Sequence, residues 1–230
     1  MISYRKIVTL LHDSYGPQGW WPLIMPGQNG LCCHYIPDNS SRSLTNKEQF
    51  EIGVGAILTQ NTNWTNAERA LVSLITNGVL DPHILSSMDL SLLAELIRPS
   101  GYFNQKAKKI KAFSQFFLEN PLPIRDIWLS LWGIGPETVD DILLYAYDVP
   151  VFVIDIYTKR LFSRLGHCNE SVSYNDLQVD VTKGLDKDIL LYKEYHALIV
   201  RHAKEHCRKK PSCIGCPLQA YCVYEFKGAL

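Results

Sequence analysis

Apolar residues recur at helical spacing along most of this 230-residue chain, and no other feature restricts its possible folds as much. The pattern predicts helices near residues 2–14, 47–59, 64–77, 89–98, 105–118, 124–131, 137–147, 156–165, 173–183 and 187–206. No segment has the alternating pattern of a convincing strand. Val149–Ile154 alone has strand composition, but it is short and lies between two predicted helices, so we interpret it as a buried, extended connector. The sequence therefore predicts an all-α fold.

Capping and turn-forming residues stand where these helices should begin and end. Thr45 and Glu48 form a capping box before an apolar run, and Asp155 is placed to cap the helix that follows the connector. Four glycines lie at predicted helix ends: Gly16, Gly78, Gly101 and Gly166. Residues 16–44, rich in Gly and Pro around a Trp pair, are predicted to form one long loop, and loops of this length often carry function.

Length and composition exclude several classes of protein. The length allows one large domain or two small ones, and 47% hydrophobic residues without a low-complexity tract exclude a disordered or coiled-coil chain. The 23 Lys and Arg balance the 23 Asp and Glu, so any site for a polyanion must be local. Apolar runs are too short to cross a bilayer, and the N-terminus lacks the apolar run of a signal peptide. We therefore expect a cytoplasmic protein with no membrane partner and, in the absence of any oligomer signal, a monomer.

Four of the seven cysteines are crowded near the C-terminus, as Cys207, Cys213, Cys216 and Cys222. This crowding and the odd total favour a metal site over a disulfide framework. Thiolates at these spacings select an iron–sulfur cluster or zinc. Zinc sites favour two CxxC pairs, whereas one CxxC is flanked here by two five-residue spacers, so we favour a [4Fe–4S] cluster and keep zinc as the alternative. The basic run 201–210 suits phosphate contact, although such runs are commonly just solvated.

A glycine-containing turn between two predicted helices carries a second motif, with the sequence L-W-G-I-G-P-E-T at residues 131–138. Gly133 and Gly135 allow a tight turn that presents backbone N–H groups at a helix N-terminus, in the first turn of which Thr138 lies. Such an arrangement binds phosphate. We therefore predict a helix-hairpin-helix, with an ordinary helix–helix turn as the alternative.

Tryptophans form a third group of candidate residues. Trp20 and Trp21 lie in the long Gly-rich loop, and Trp64 follows the polar Q-N-T-N turn that begins with Gln60 and Asn61. Tryptophan usually fills a core, and we expect this of Trp128 on an apolar helix face. Paired indoles in a polar loop could instead stack on an extruded base, while the amides of the turn fill the gap left in a duplex.

Asp155 directly follows the apolar connector. As a lone Asp at a helix start it is explained by N-capping alone. Kept ionised among apolar residues, its carboxylate could also stabilise a developing cation or take a proton from water. Residue types alone leave both roles open.

Together these motifs resemble the endonuclease III family of helix-hairpin-helix DNA glycosylases over nearly the whole chain. The resemblance implies a two-lobed, all-α fold, with residues 44–149 as a six-helix barrel domain that contains the helix-hairpin-helix at about 126–147. Residues 1–43, the N-terminal helix and aromatic loop, would pack with the C-terminal lobe at 150–230, in which the loop 207–222 holds the [4Fe–4S] cluster. It also implies that Asp155 is the catalytic aspartate and that the partner is double-stranded DNA containing a damaged base.

Two departures from the family pattern are visible. Bifunctional members carry a Schiff-base lysine where this chain has Glu137, and a glutamate cannot form an imine, so AP-lyase activity should be absent or weak. The first spacing in the cysteine motif is one residue shorter than usual. Within the family, the segments 19–22, 60–64 and 98–106 look most like the 3-methyladenine DNA glycosylases of the endonuclease III type. In those enzymes a loop tryptophan and an aromatic residue at the position of Trp64 sandwich the flipped base.

The resemblance thus implies a monofunctional DNA glycosylase that excises alkylated purines such as 3-methyladenine in base excision repair. We expect Trp20, Trp21 and Trp64 to bind the base, and the following residues to contact DNA: Gln60, Asn61, Gly133, Gly135 and Thr138. Three alternatives remain. One is a mismatch uracil or thymine glycosylase; another is a lyase that uses Lys106 or Lys108. The third is a non-catalytic iron–sulfur DNA-binding module, against which Asp155 argues.

Overall fold

The structure is a computed structural model that describes residues 1–28, 30–36 and 42–224. Parts of the predicted loop 16–44 and of the predicted lobe 150–230 lie outside these described residues. Within them the chain is predominantly helical, as predicted. The helices are α1 (Tyr4–Tyr15), α2 (Asn46–Thr59), α3 (Trp64–Thr76), α4 (Pro82–Ser87), α5 (Leu90–Leu96), α6 (Phe103–Glu119), α7 (Arg125–Trp128), α8 (Pro136–Tyr147), α9 (Ile156–Arg164), α10 (Tyr174–Lys183) and α11 (Ile189–Glu205). Short 3₁₀ turns lie at Arg98–Ser100 and Gln219–Tyr221.

The prediction that residues 16–44 contain no strand is wrong. β1 (Leu23–Gly27) and β2 (Gly30–His34) form an antiparallel hairpin in which Leu23 pairs with His34 and Gly27 with Gly30. Both strands are short, and Pro26 within β1 masks the usual strand pattern. A two-stranded hairpin is barely stable alone. Here Leu23 and Ile24 are buried, and the carboxylate of Glu51 on α2 accepts a hydrogen bond from Ile24 N at 2.6 Å.

A second correction concerns α4, which the periodicity did not reveal because six residues are too few to define a period. The sequence nevertheless contains a helix-start signal, Asp81 followed by Pro82. The Asp81 carboxylate accepts from His83 N at 2.8 Å, and Pro82 occupies the first helical position. Helix α7 is also shorter than the predicted 124–131.

Other local predictions are confirmed. Thr45 and Glu48 form a reciprocal capping box at the start of α2. Asp155 caps α9 by accepting from Thr158 N at 2.6 Å. The preceding connector has no regular secondary structure, and Phe152, Val153 and Ile154 within it are buried. Each of these features depends on residues close together in sequence, which is why sequence reasoning finds them.

The described residues divide into two compact units, which we call the terminal unit and the central unit. The terminal unit contains Met1–Trp20 and residues 150–224, and the central unit contains Trp21–Ile36 and residues 42–149. The assignment of domains to 1–43, 44–149 and 150–230 stays a prediction, and the observed units differ from it in grouping Trp21–Ile36 with the central helices. None of the described helices is long and apolar enough to span a membrane.

Each unit has its own aromatic core. In the terminal unit, Phe152 packs edge-on against Tyr192 and Tyr195 of α11, with ring centroids 5.4 and 5.6 Å apart. In the central unit, Phe50 and Phe113 stack at 5.6 Å, and Trp128 packs against Phe113 at 6.1 Å. Trp128 is 1% exposed, as expected of a core residue. These cores fix the helices that carry the candidate functional side chains.

Candidate functional site

The glycine-containing turn of the central unit leads directly into α8. Gly133 has φ +80°, a left-handed conformation that favours glycine, and Gly135 is the N-cap of α8. Gly135 offers no side chain to bond the first-turn amides, and Pro136 occupies the first helical position. Arg125 on α7 forms an ion pair with the fully buried Asp140 on α8, with Arg125 Nε 2.6 Å from Asp140 Oδ1. The turn therefore presents backbone N–H groups from a fixed helix start.

The Q-N-T-N turn is held against this helix start. Gln60 ends α2, and its Nε2 donates to Thr138 Oγ1 at 3.0 Å. Thr138 is 7% exposed, so its side chain faces the protein rather than solvent. Asn61 is exposed and has φ +54°. Gln60 and Thr138, both predicted to contact DNA, thus contact each other.

The predicted base-binding tryptophans divide between the two units. Trp20 is half-buried and belongs to the terminal unit, whereas Trp21 and Trp64 belong to the central unit. The rings of Trp21 and Trp64 are perpendicular, with centroids 5.3 Å apart and an interplanar angle of 89°. Parallel rings on either side are needed to sandwich a base, so these two rings do not sandwich one in this geometry.

Trp21 is the buried member of this pair. It is 7% exposed and packs against Tyr145 at 5.6 Å, so that Trp21, Trp64 and Tyr145 form an aromatic cluster. Gly55 on α2 lets Trp21 approach closely, because a Cβ there would lie 3.3 Å from two atoms of the indole. Trp64 is half-buried, and its Nε1 donates to Cys33 Sγ at 3.3 Å. The cluster therefore leaves Trp64 as its more accessible indole.

Asp155 of the terminal unit is 7% exposed and held by two groups. Its Oδ1 accepts from Thr158 N, and its Oδ2 lies 3.6 Å from Nε2 of His196 on α11. Burial by itself raises the pKa of this carboxyl, but the contacts from His196 and Thr158 outweigh burial and hold the pKa below its ordinary value. Asp155 is therefore an N-cap that also carries a buried negative charge at neutral pH.

The four C-terminal cysteines of the terminal unit line one cavity of about 240 Å³. Cys207 is buried and the other three are half-buried. Arg164 on α9 donates to Cys207 Sγ at 3.3 Å, and Cys222 Sγ donates to the Arg164 carbonyl at 3.4 Å. Among the described residues, no three His, Cys, Asp or Glu side chains are close enough to hold a single metal ion. A zinc ion would draw its thiolates to about 2.3 Å. Four cysteine thiols that line one cavity are a donor set that fits an iron–sulfur cluster or zinc.

The surroundings of two side chains of the central unit, Lys106 and Tyr102, were not predicted from the sequence. Lys106 is 2% exposed, and its Nζ donates to the carbonyls of Leu58 at 2.8 Å and Ser100 at 2.7 Å. Burial, and secondarily the charge of Lys109, lower the pKa of Lys106 to about 8. Tyr102 is 72% exposed with φ +47°. The signal for Lys106 was its position among apolar residues on the inner face of α6, but helical periodicity reports burial only for apolar residues.

The sequence profile of the HhH-GPD superfamily of base excision DNA repair proteins matches residues 54–187. The chain belongs to this superfamily. A relative from Methanocaldococcus jannaschii, described provisionally as a DNA repair glycosylase, is 42% identical over 95% of this chain and 94% of its own. Endonuclease III from Sulfolobus acidocaldarius is 30% identical over 76% of this chain and 82% of its own.

Solved structures agree with this HhH-GPD assignment. The 3-methyladenine DNA glycosylase of H. pylori bound to 1,N6-ethenoadenine has a TM-score of 0.69 and 26% identity, covering 88% of this chain and 98% of its own. An endonuclease III–DNA complex has a TM-score of 0.75 with 19% identity over 97% and 96% of the two chains, a likeness of fold alone. The fold is that of the helix-hairpin-helix DNA glycosylases, and the chain is a member of a superfamily of base excision DNA repair proteins.

Proposed function

We propose that this HhH-GPD protein is a monofunctional DNA glycosylase that removes alkylated purines such as 3-methyladenine. The observation that carries the proposal is the aromatic cluster of Trp21, Trp64 and Tyr145, which holds Trp64 in place through Trp21 and Cys33. An N3-alkylated adenine is positively charged in the nucleoside, and an indole face attracts such a cation by about 0.5–2 kcal/mol. The H. pylori 3-methyladenine DNA glycosylase, at 26% identity, supports this substrate class.

Trp21 and Trp64 have different roles in this proposal. Trp21 supports Trp64, because its ring is buried and perpendicular to that of Trp64. Trp64, the half-buried indole of the aromatic cluster, stacks on the extruded base. Trp20 stays a predicted base-binding residue. Gln60 and Asn61 fill the gap in the duplex, and the amides that follow Gly135 bind the phosphate backbone.

Asp155 stabilises the sugar as the glycosidic bond breaks. The base leaves with the bonding electron pair, which neutralises its positive charge and leaves an oxocarbenium ion on the sugar. Water adds to the anomeric carbon and loses a proton to Asp155 or to solvent. Opposite unit charges about 4 Å apart at an effective dielectric constant of about 20 attract by about 4 kcal/mol, or about two to three decades of rate.

Side-chain chemistry favours hydrolysis over the lyase reaction. Glu137 cannot form the imine that a lyase requires. Of the two lysines that could replace it, Lys106 is buried with its Nζ bonded to two carbonyls, which opposes nucleophilic attack on DNA. Lys108 is exposed, so it is the lysine that a lyase reaction would need. Because Glu137 cannot form the imine, we expect strand cleavage only after alkali.

Cys207, Cys213, Cys216 and Cys222 would hold a [4Fe–4S] cluster. When bound, such a cluster cross-links the loop through four thiolate bonds. Arg164 contributes from α9 by donating to Cys207 Sγ and to the Arg208 carbonyl at 2.7 Å, which fixes the start of the loop. The single CxxC pair between two five-residue spacers supports the cluster over zinc.

The test is release of free base from alkylated duplex DNA by the purified holoprotein and its Asp155→Asn variant. Asp188→Asn is the matched control, because Asp188 caps α11 in the same unit and asparagine is an equally good N-cap. We expect free 3-methyladenine from the wild type and from Asp188→Asn. We expect at least a hundredfold less from Asp155→Asn, with nicks only after alkali.

Other outcomes point elsewhere. Release of uracil or thymine from mismatches without alkylpurine release would favour the mismatch glycosylase. A covalent DNA adduct after borohydride treatment would show a lyase. Binding of DNA without release of any base would leave the non-catalytic module.

A further inference from the structure

A relay of three polar side chains links α6, the end of α2 and the start of α8 in the central unit. Lys109 Nζ donates to Gln60 Oε1 at 2.6 Å, and Gln60 Nε2 donates to Thr138 Oγ1 at 3.0 Å. Because a lysine ammonium can only donate, the amide oxygen of Gln60 must face Lys109. The relay therefore fixes the orientation of the Gln60 amide as well as its position.

The relay touches the helix-hairpin-helix at two points. Thr138 lies in the first turn of α8, where it is 7% exposed. The aliphatic stem of Lys109 packs against Gly133, since a Cβ at this glycine would lie 3.0 Å from both Cγ and Cε of Lys109. With φ +80° at Gly133, only glycine suits both the backbone conformation and this contact. A shift of Gly133 or Thr138 would therefore move Lys109 or Gln60, which contact them directly.

Lys106 lies one helical turn before Lys109 on α6 and holds the backbone at the end of α2. Its Nζ donates to the Leu58 carbonyl, two residues before Gln60, and to the Ser100 carbonyl. Burial lowers the pKa of both lysines, so keeping the two cations at these positions has a cost. One lysine holds the main chain at the end of α2, and the other holds the side chain that follows.

We propose that Lys109 is a positioning residue that makes the placement of Gln60 in the gap of a duplex depend on the helix-hairpin-helix. This inference rests on the proposed function, in which Gln60 fills the space left by the extruded base. Without Lys109, Gln60 keeps one neutral hydrogen bond to Thr138, and its side chain gains rotamers that do not point into the gap. Lys109 acts by orienting the Gln60 amide, to which its ammonium is bonded, and not through its own contact with DNA.

The experiment compares the Kd of the holoprotein for a duplex with a tetrahydrofuran abasic analogue and for the same duplex intact. The Kd for the intact duplex divided by the Kd for the abasic duplex measures the preference for the missing base. We expect Lys109→Met and Gln60→Ala each to lower the ratio about tenfold, the usual effect of losing a hydrogen bond to a charged group. The double variant should lose no more than Gln60→Ala alone.

Three further variants separate orientation from charge and folding. Lys47→Met removes the same charge from an exposed position in the same unit. Any loss of affinity should be equal for the two duplexes, so the ratio should stay unchanged. Lys109→Arg should retain more of the ratio than Lys109→Met, because arginine is also a donor only. Thr138→Val breaks the other end of the relay without touching a charge, and it carries the test if Lys109→Met does not fold.

The failures are distinguishable. If the wild type does not bind the abasic duplex more tightly than the intact one, Gln60 does not fill the space of the missing base. That part of the proposed function and the role of Lys109 would then both be wrong. If the wild type prefers the gap and Lys109→Met keeps that preference, the role of Lys109 alone is overturned. Additive losses in the Lys109→Met, Gln60→Ala double variant would also overturn it.

Discussion

Two glycines on α2, two residues apart, should respond in opposite ways to the same substitution. Gly53 faces the ring of Phe113: an added Cβ would overlap Cζ and lie 2.8 Å from Cε1. Gly55 faces Trp21, where an added Cβ would lie 3.3 Å from the nearest indole atoms. Gly53→Ala therefore strains the core, whereas Gly55→Ala presses lightly on the indole that supports Trp64.

The magnitudes follow from the surroundings of each ring. Alanine is favoured over glycine inside a helix by about 1 kcal/mol. At Gly53 this gain is outweighed, because Phe113 stacks on Phe50 and contacts Trp128, so the ring cannot move without repacking the core. Overpacking of this kind costs about 1–3 kcal/mol, occasionally more. An overlap with a ring that cannot move belongs in the upper part of that range, about 2–3 kcal/mol, so after the helix gain we expect Gly53→Ala to lose about 1–2 kcal/mol, or about 2–8 °C in Tm.

At Gly55 the neighbouring ring needs to give by only a few tenths of an ångström, so stability should stay the same or rise by up to about 1 kcal/mol. Such a shift passes from Trp21 to Trp64, and we expect alkylpurine release to fall by about threefold to tenfold. Thermal unfolding followed by circular dichroism, together with base release, measures both effects. The reasoning fails if Gly53→Ala is as stable as the wild type, or if Gly55→Ala is destabilised without a loss of activity.

Three further predictions concern single side chains. The lowered pKa of Lys106 means that the unfolded chain binds more protons between pH 8 and about 10.5. The free energy of unfolding should therefore rise by up to about 3 kcal/mol over that range, and denaturant titrations should show Lys106→Met lacking the rise. Trp64→Ala should lower kcat/KM for alkylpurine release by about 5–150-fold, since stacking on one ring is worth about 1–3 kcal/mol, whereas Trp64→Phe should keep most of the activity. Cys216→Ser should lose iron and sulfide on purification, while Cys168→Ser, in the same unit, keeps both; equal iron in the two variants would contradict the cluster assignment.

Features made by neighbours in sequence were predicted well. The helix starts at Thr45 and Asp155 need only a side chain and amides a few residues away. The glycine-containing turn is equally compact, whereas the metal site at the cysteine motif stays a prediction. The errors have the same explanation: β1 and β2 are too short and irregular to show a period, and they are stabilised by contacts such as that of Ile24 with Glu51 on α2.

The sequence by itself determined the helices, their caps, the glycine turn, the cysteine spacing and the family to which they point, because these signals lie within a few turns of chain. Tertiary structure alone decided that Trp21 lies perpendicular to Trp64 and that Lys106 is buried. It also brought Gln60 into contact with Lys109 and Thr138, which are 49 and 78 residues away in sequence. Such contacts depend on how helices pack, and residue spacing along one helix does not specify which side chain of another helix it will meet.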